Sequence, residues 1–322
     1  MKTLTLDEYA ALPELDDSYL IDRFIPAQGR ILLIGPPKKG KSFLALQYGL
    51  AVAKGEDFIH RHSTPGKVLY LQYDTPHALW LDRIKKLKSA NVMFHDNFVM
   101  LDPRHPHYQS QIDIRKNEAD RLYLMEIVDT VKPQLVIIDT LRKIFSGDEN
   151  SSDVCAEVFN HINEIFKKQA VVYVHHTHKL SPPPGQKIQH KIAPVDAARG
   201  SSFISGEVDA IHLLYGKHLS IESRFDEEAE YTVERDPITK LWTFPDGARL
   251  SKMEENVRRA YLAQSWPSWQ AFREYAVHQI VDVPDFIMQR LEVEFSTVDT
   301  DSESQREVTQ ESLDYPVDAS LT

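Results

Sequence analysis

Residues Gly35 to Ser42 read GPPKKGKS, a complete match to the spacing G-x-x-x-x-G-K-[ST]. These residue types point to phosphate chemistry. Glycines allow a tight turn that aims backbone N–H groups inward, and a helix starting at the same place adds its positive dipole end. Lys41 supplies a cation for the outer phosphates of a nucleoside triphosphate, and the Ser42 hydroxyl is a ligand for Mg2+. The binding loop is expected to comprise Gly35, Pro36, Pro37, Lys38, Lys39, Gly40, Lys41, Ser42 and Phe43. A chance Gly/Lys-rich turn is the competing reading. Against it, the apolar run Ile31-Leu32-Leu33-Ile34 precedes the loop and the amphipathic pattern Phe43, Leu44, Leu46, Gln47, Leu50 follows it.

A second set of side chains completes the candidate chemistry. The apolar strand Leu135 to Ile138 ends in Asp139, an acid placed to hold the Mg2+ water shell opposite Ser42. The next residue is Thr140 rather than glutamate, so a base for water activation must come from elsewhere. Asp74, just past the strand Val68 to Leu71, is the candidate. The run Asp74-Thr75-Pro76 also reads as a helix start with Asp74 as the cap, and the two roles are compatible. His175, His176 and His178 follow the strand Ala170 to Val174. Consecutive strand residues face opposite sides, so adjacent histidines cannot share one ion, and His176 with His178 supplies too few ligands for a metal.

Positioning these groups requires short, doubly apolar strands alternating with helices, which implies a mostly parallel sheet covered on both faces. A short helix is expected around Leu6 to Leu12, then a segment Tyr19 to Pro26 leading to the loop strand. Helices are expected after Pro76, from Lys116 to Val131 and from Val154 to Lys167. Prolines exclude a regular helix from Ser181 to Val195, which reads as a long loop. A turn and strand follow from Ser201 to Tyr215, and the segments Leu219 to Ser223, Glu230 to Glu234 and Leu241 to Phe244 read as an antiparallel extension of the sheet. Beyond Ser251 the pattern changes to three short helices, which fit a helix-turn-helix, a lid or an oligomer contact equally. The expected organisation is an arm over 1–18, an α/β core over 19–248, a small helical region over 249–297 and a disordered acidic tail over 298–322.

The 322 residues include 42% hydrophobic residues and one cysteine, Cys155, which excludes an internal disulfide or a cysteine metal cluster. With no membrane-length apolar run and no apolar signal core near Met1, a cytoplasmic location is expected, with no membrane partner. A net charge of −11 argues against a surface that binds nucleic acid throughout, but the tail alone carries −6 of it, with Arg306 its single base. Solubility is its simplest role.

In chain order, the phosphate loop, the acid after the second strand, DTLR at Asp139 to Arg142, the strand-end histidines in VVYVHHTHK and RGSS at Arg199 to Ser202 resemble the RecA/DnaB-type ATPases. Most similar are the RepA-like hexameric replicative helicases of plasmids and related phage ATPases. The resemblance spans about residues 19 to 215 and implies a RecA-like core that uses ATP and Mg2+. It implies that Lys41, Ser42 and Asp139 form the phosphate and metal site, that Asp74 takes the catalytic-base position, and that His176 senses the γ-phosphate. Asp74 departs from the family, which has glutamate there. Arg199 matches an arginine finger that enters a neighbouring subunit's site, which implies a homo-oligomeric ring, hexameric by analogy. Two channel loops that contact single-stranded DNA would fall at 142–153, with Arg142 and Lys143, and at 179–195, with Lys179, Lys187 and Lys191.

The resulting expectation is an ATP-hydrolysing ring on single-stranded DNA, a plasmid- or phage-type replicative helicase whose C-terminal region is available to a replication or recruitment partner. The alternatives are an ATP-gated DNA-binding or recruitment factor without unwinding, and a P-loop small-molecule kinase. Lys85, Lys86 and Lys88 read as a solvated helix face, the loop lysines as either DNA contacts or solvation, and Trp242, Trp266 and Trp269 as packing residues. No N-K-x-D base-reading motif for guanine occurs.

Overall fold

The computed structural model describes residues 3–12, 19–102, 112–177, 193–198, 200, 202–226, 228–245, 257–263, 266–279, 288 and 291–292. The chain divides into two compact units, residues 1–246 and 247–322.

In the first unit, helix α1 (Leu6–Ala10) starts in a reciprocal Thr5/Glu8 capping box. Strands β1 (Tyr19–Ile21) and β2 (Ile25–Pro26) form a small antiparallel pair. The core strands are β3 (Arg30–Ile34), β4 (Val68–Gln72), β5 (Phe98–Met100), β6 (Leu135–Asp139), β7 (Ala170–Val174) and β8 (Ala210–Tyr215). Helices α2 (Lys41–Lys54), α3 (His77–Ser89), α4 (Glu118–Val131) and α5 (Ser152–Ile165) connect them, and short helices α6 (Pro194–Ala197) and α7 (Ser202–Gly206) precede β8. Side-chain caps from Asn117 and Ser151 set the starts of α4 and α5.

The eight-stranded sheet has the order β10-β9-β8-β3-β7-β6-β4-β5, where β9 is His218–Ser223 and β10 is Ala229–Thr232. Strands β3 to β8 run parallel, and β9 and β10 extend the sheet antiparallel from β8. This is the RecA-like α/β arrangement, with β7 inserted between the phosphate-loop strand β3 and the Asp139 strand β6. Because successive residues face opposite sides and both sides are covered, the strands are apolar over most of their length. Ile31, Leu33, Tyr70, Ile137 and Val172 pack on one face against α2, while Leu32, Ile34, Leu71, Ile138 and Tyr173 pack on the other with residues of α4 and α5.

Three details differ from the sequence expectation. The segment 241–244 does not join the main sheet: β11 (Glu234–Arg235) and β12 (Trp242–Thr243) pair with each other as a separate two-stranded hairpin. Helix α7 at Ser202–Gly206 precedes β8, where the sequence led to the expectation of a turn alone. The apolar pattern Leu79, Leu81, Ile84 and Leu87 marks the helix after Pro76, but the buried residues of α3 are Trp80 and Leu87, whereas Leu79 and Leu81 face solvent.

The second unit contains helical residues 257–262 and a helix over Trp269–Gln279. Val257, Phe272, Ala276, Met288 and Leu291 form its core, with Trp266 and Trp269 packed against them. The tail at 298–322 lies outside the described residues. Among the described residues, no helix is long and apolar enough to cross a membrane.

Candidate nucleotide site

Parallel register brings the candidate groups to one edge of the sheet. Asp139 is aligned with Gln72 on β4 and with Val174 on β7, and Leu33 on β3 is aligned with Val174. The chain segments leaving these strands therefore meet outside their carboxyl ends, the usual crevice for ligands in open α/β sheets. The loop from Gly35, together with Asp74, Asp139 and His176, lies there. Lys38, Gly40, Lys41, Ser42, Phe43, Asp74, Asp139 and His176 line one cleft of about 250 Å³.

Loop conformation follows from its residue types. Lys38 (φ 61°) and Gly40 (φ 96°) adopt left-handed backbone, and Gly40 leads directly into α2. A Cβ on Gly40 would come within 2.9 Å of the Trp242 ring, so this position needs glycine for both conformation and space. Lys41 is buried and donates to the carbonyls of Gly35 (2.9 Å) and Pro36 (3.0 Å), with its Nζ 3.3 Å from His176 Nδ1. Burial pushes the Lys41 ammonium down to about 8, against the opposing attraction of Asp139 and Asp74. Pro37 and Lys39 are exposed in the same loop.

Asp139 is fully buried, and burial raises its carboxyl above the usual range. The Ser42 and Tyr70 hydroxyls and Arg83 oppose that shift, while Asp74 adds to it. Tyr70 donates to Asp139 Oδ2 at 2.8 Å, and Asp139 Oδ1 accepts no hydrogen bond of good geometry. An orphaned buried carboxylate oxygen facing a hydroxyl fits a cation site of hard oxygen ligands, so Ser42 and Asp139 suit Mg2+. Asp74 is exposed in the cleft, and among the described residues none donates a hydrogen bond to its carboxylate. It does not cap α3, whose N-cap is Pro76 without a side-chain hydrogen bond.

His175 is buried and His176 opens to the cleft, as alternation on a strand end requires. Thr177 then donates to the Gly35 carbonyl at 3.3 Å and forms an isolated antiparallel bridge with Ala198. Gly200 (φ 99°) packs so closely on the Glu149 carbonyl that a Cβ would approach it to 2.9 Å. Arg199 itself lies outside the described residues, as do His178, Lys179, Lys187 and Lys191. Arg142 spends its donors within its own loop, on the Phe145 (2.7 Å) and Gly147 (3.2 Å) carbonyls, and its guanidinium stacks on Phe145. Lys143 is half-buried in the 3-10 turn Leu141–Lys143.

Sequence reasoning missed several cleft residues: Arg83 on α3, Arg235 on β11, and Tyr70 beneath Asp139. It also missed the strut that holds the hairpin in place. The Gln47 amide exchanges two 2.8 Å hydrogen bonds with the Trp242 backbone, and Trp242 Nε1 donates to the Gly40 carbonyl at 3.1 Å. A single-sequence signal for Arg83 or Arg235 does not exist, because neither stands in a local motif and the hairpin is remote from the loop in the chain.

The fold and cleft define a P-loop nucleotide-binding protein of the RecA-like α/β class. Residues 2–182 match the AAA_25 family model, described as an AAA domain, and the chain belongs to that family of P-loop ATPases. Two solved structures show lesser likeness. The KaiC-like protein PH0186 from the hyperthermophilic archaeon Pyrococcus horikoshii OT3 is 11% identical, with a TM-score of 0.43 over 72% of this chain and 98% of that one. The ATPase domain of G40P is 13% identical, with a TM-score of 0.48 over 67% of this chain and 84% of that one.

Proposed function

We propose that the protein hydrolyses ATP in this cleft and couples the cycle to single-stranded DNA as an oligomeric ring. The observation that carries the hydrolytic part is the convergence of Lys41, Ser42, Asp74, Asp139 and His176 on one cleft. The loop N–H groups and Lys41 bind the β- and γ-phosphates. Ser42 and Asp139 hold Mg2+, which when bound screens the phosphate charge. Asp74 accepts the proton of the attacking water, and His176, within reach of Lys41 Nζ, reads the presence of the γ-phosphate. Arg199 reaches a neighbouring copy's site and stabilises charge in the transition state. The resemblance to ring helicases and the basic character of 179–191 support the DNA part, with Lys143 as a further contact and the self-bonded Arg142 as a weaker one.

The test measures ATPase rate for wild type, Asp74→Ala and Asp74→Glu, with and without single-stranded DNA, together with opening of a forked duplex. Loss of activity in Asp74→Ala is expected, with stimulation by DNA in wild type. Full activity in Asp74→Ala would remove the aspartate from its role. Stimulation without duplex opening would favour the second reading, an ATP-gated DNA-binding or recruitment factor, which is motivated by an acid one methylene shorter than the family's glutamate.

A further inference from the structure

Two arginines at the cleft remain unused by the mechanism above. Arg83 is half-buried, with its guanidinium 4.4 Å from the Phe43 ring centroid and 4.8 Å from that of Trp80. Its Nη1 is buried and has no hydrogen-bond partner, and burial lowers its basicity while Asp139 and Tyr70 oppose that shift. Arg235 approaches Phe43 from β11, 5.1 Å from the same ring centroid, and its one hydrogen bond goes from Nε to the Lys240 carbonyl. Among the described residues, neither guanidinium has a carboxylate within ion-pair distance. Arg235 is placed by the Gln47 and Gly40 contacts to Trp242, so its position is tied to the loop and not left to a free side chain.

Charge completes the argument. Lys38, Lys41, Arg83 and Arg235 face Asp74 and Asp139 in the cleft, an excess of two positive charges. An ionised nucleoside triphosphate with its magnesium ion carries roughly two net negative charges, which matches that excess. A half-buried guanidinium with an orphaned N–H is costly to maintain unless an anion uses it, and guanidinium is the side chain best suited to phosphate oxygens.

We propose that Arg83 and Arg235 form a phosphate clamp within one chain, held apart by Phe43, so that the nucleotide's charge is met from its own subunit before any neighbour contributes. The clamp rests on the reading of the cleft as a nucleotide site. The hairpin Glu234–Thr243 is then a nucleotide-binding element, and trans Arg199 acts on turnover rather than on binding.

The test is calorimetric titration of a non-hydrolysable ATP analogue with Mg2+ into wild type and into Arg83→Gln, Arg83→Lys, Arg235→Gln and Arg235→Lys. Each Gln variant is expected to bind about tenfold more weakly, and each Lys variant to recover part of that loss, since it restores the charge without the guanidinium's planar fork. Thermal melts without nucleotide check folding, and exposed Arg235 keeps the test open should Arg83 variants fold poorly. Unchanged affinity in the Gln variants overturns the clamp and leaves the loop reading intact. A Lys variant as weak as its Gln counterpart also overturns it, pointing to stacking on the base. Absence of binding in wild type overturns the nucleotide reading and the clamp together.

Discussion

Lys41 makes the nucleotide site a proton-linked one. In the nucleotide-free protein its ammonium titrates near 8 because it is buried, and it is held by two carbonyls that offer only partial charge. A bound triphosphate adds full negative charge beside it and restores its protonated form well above that value. Nucleotide binding above pH 8 must then take up a proton. By pH 9 about nine-tenths of the free protein has neutral Lys41, so affinity is expected to fall about tenfold from its pH 7 value, or about 1.4 kcal/mol. The same shift bears on folding, and its sign is opposite to that of a paired lysine. The unfolded chain holds this proton up to the ordinary lysine value of 10.5, whereas the fold releases it near 8. Between those values the unfolded state binds more protons, so the Lys41 contribution to stability rises with pH. Below that window the buried charge costs the empty protein about 3 kcal/mol. The assay is calorimetry of a non-hydrolysable ATP analogue in two buffers of different ionisation enthalpy, from pH 7.5 to 9.5, where the phosphates stay ionised. Proton uptake near half a proton at pH 8, approaching one at pH 9, is expected. Flat affinity with no uptake across that range refutes the reasoning.

Three further outcomes follow from the packing. Gly40→Ala places a Cβ at a left-handed residue and against Trp242, costing about 1–2 kcal/mol of stability, read as a lower melting temperature with weakened nucleotide binding. Asp139→Asn removes a buried carboxylate whose folded value is raised, so its ionised form destabilises the empty protein at neutral pH. The variant should melt higher than wild type without ligand and gain less from Mg2+ with nucleotide, and a lower melting temperature would contradict that assignment. Gln47→Ala leaves the Trp242 backbone without two 2.8 Å partners, a loss of about 1–3 kcal/mol, and amide exchange across 234–243 should accelerate while the sheet core stays protected.

The legible part of this molecule is the part with local periodicity. Apolar runs at 31–34, 68–71, 135–138 and 170–174 each became buried parallel strands, because a strand covered on both faces needs side chains of one kind. The loop at Gly35 to Ser42 was legible because its backbone geometry demands particular residues at particular steps. Edge strand β5 was not, since Phe98–Met100 is three half-buried residues whose pairing depends on β4. Nor was the independent pairing of β11 with β12, which depends on Gln47 from a helix nearly two hundred residues earlier. Arg83 and Arg235 remained hidden for the same reason: their proximity to Phe43 is a property of three distant elements and leaves no trace in any single segment.

The insertion of β7 and β8 on either side of β3 has a consequence for synthesis. The phosphate-loop strand leaves the ribosome early, yet its two hydrogen-bonding neighbours come from residues 170–174 and 210–215, and the Trp242 strut comes later still. Until residues 170–174 and then 210–215 are made, the edges of the apolar run Ile31–Ile34 lack partners, a state open to mispairing. A fragment trimmed to the family-matched residues 2–182 would carry the whole GPPKKGKS loop and leave one side of its strand bare. The smallest piece able to hold nucleotide should therefore extend past Thr243, and nucleotide added to a translating chain should have no effect before that point.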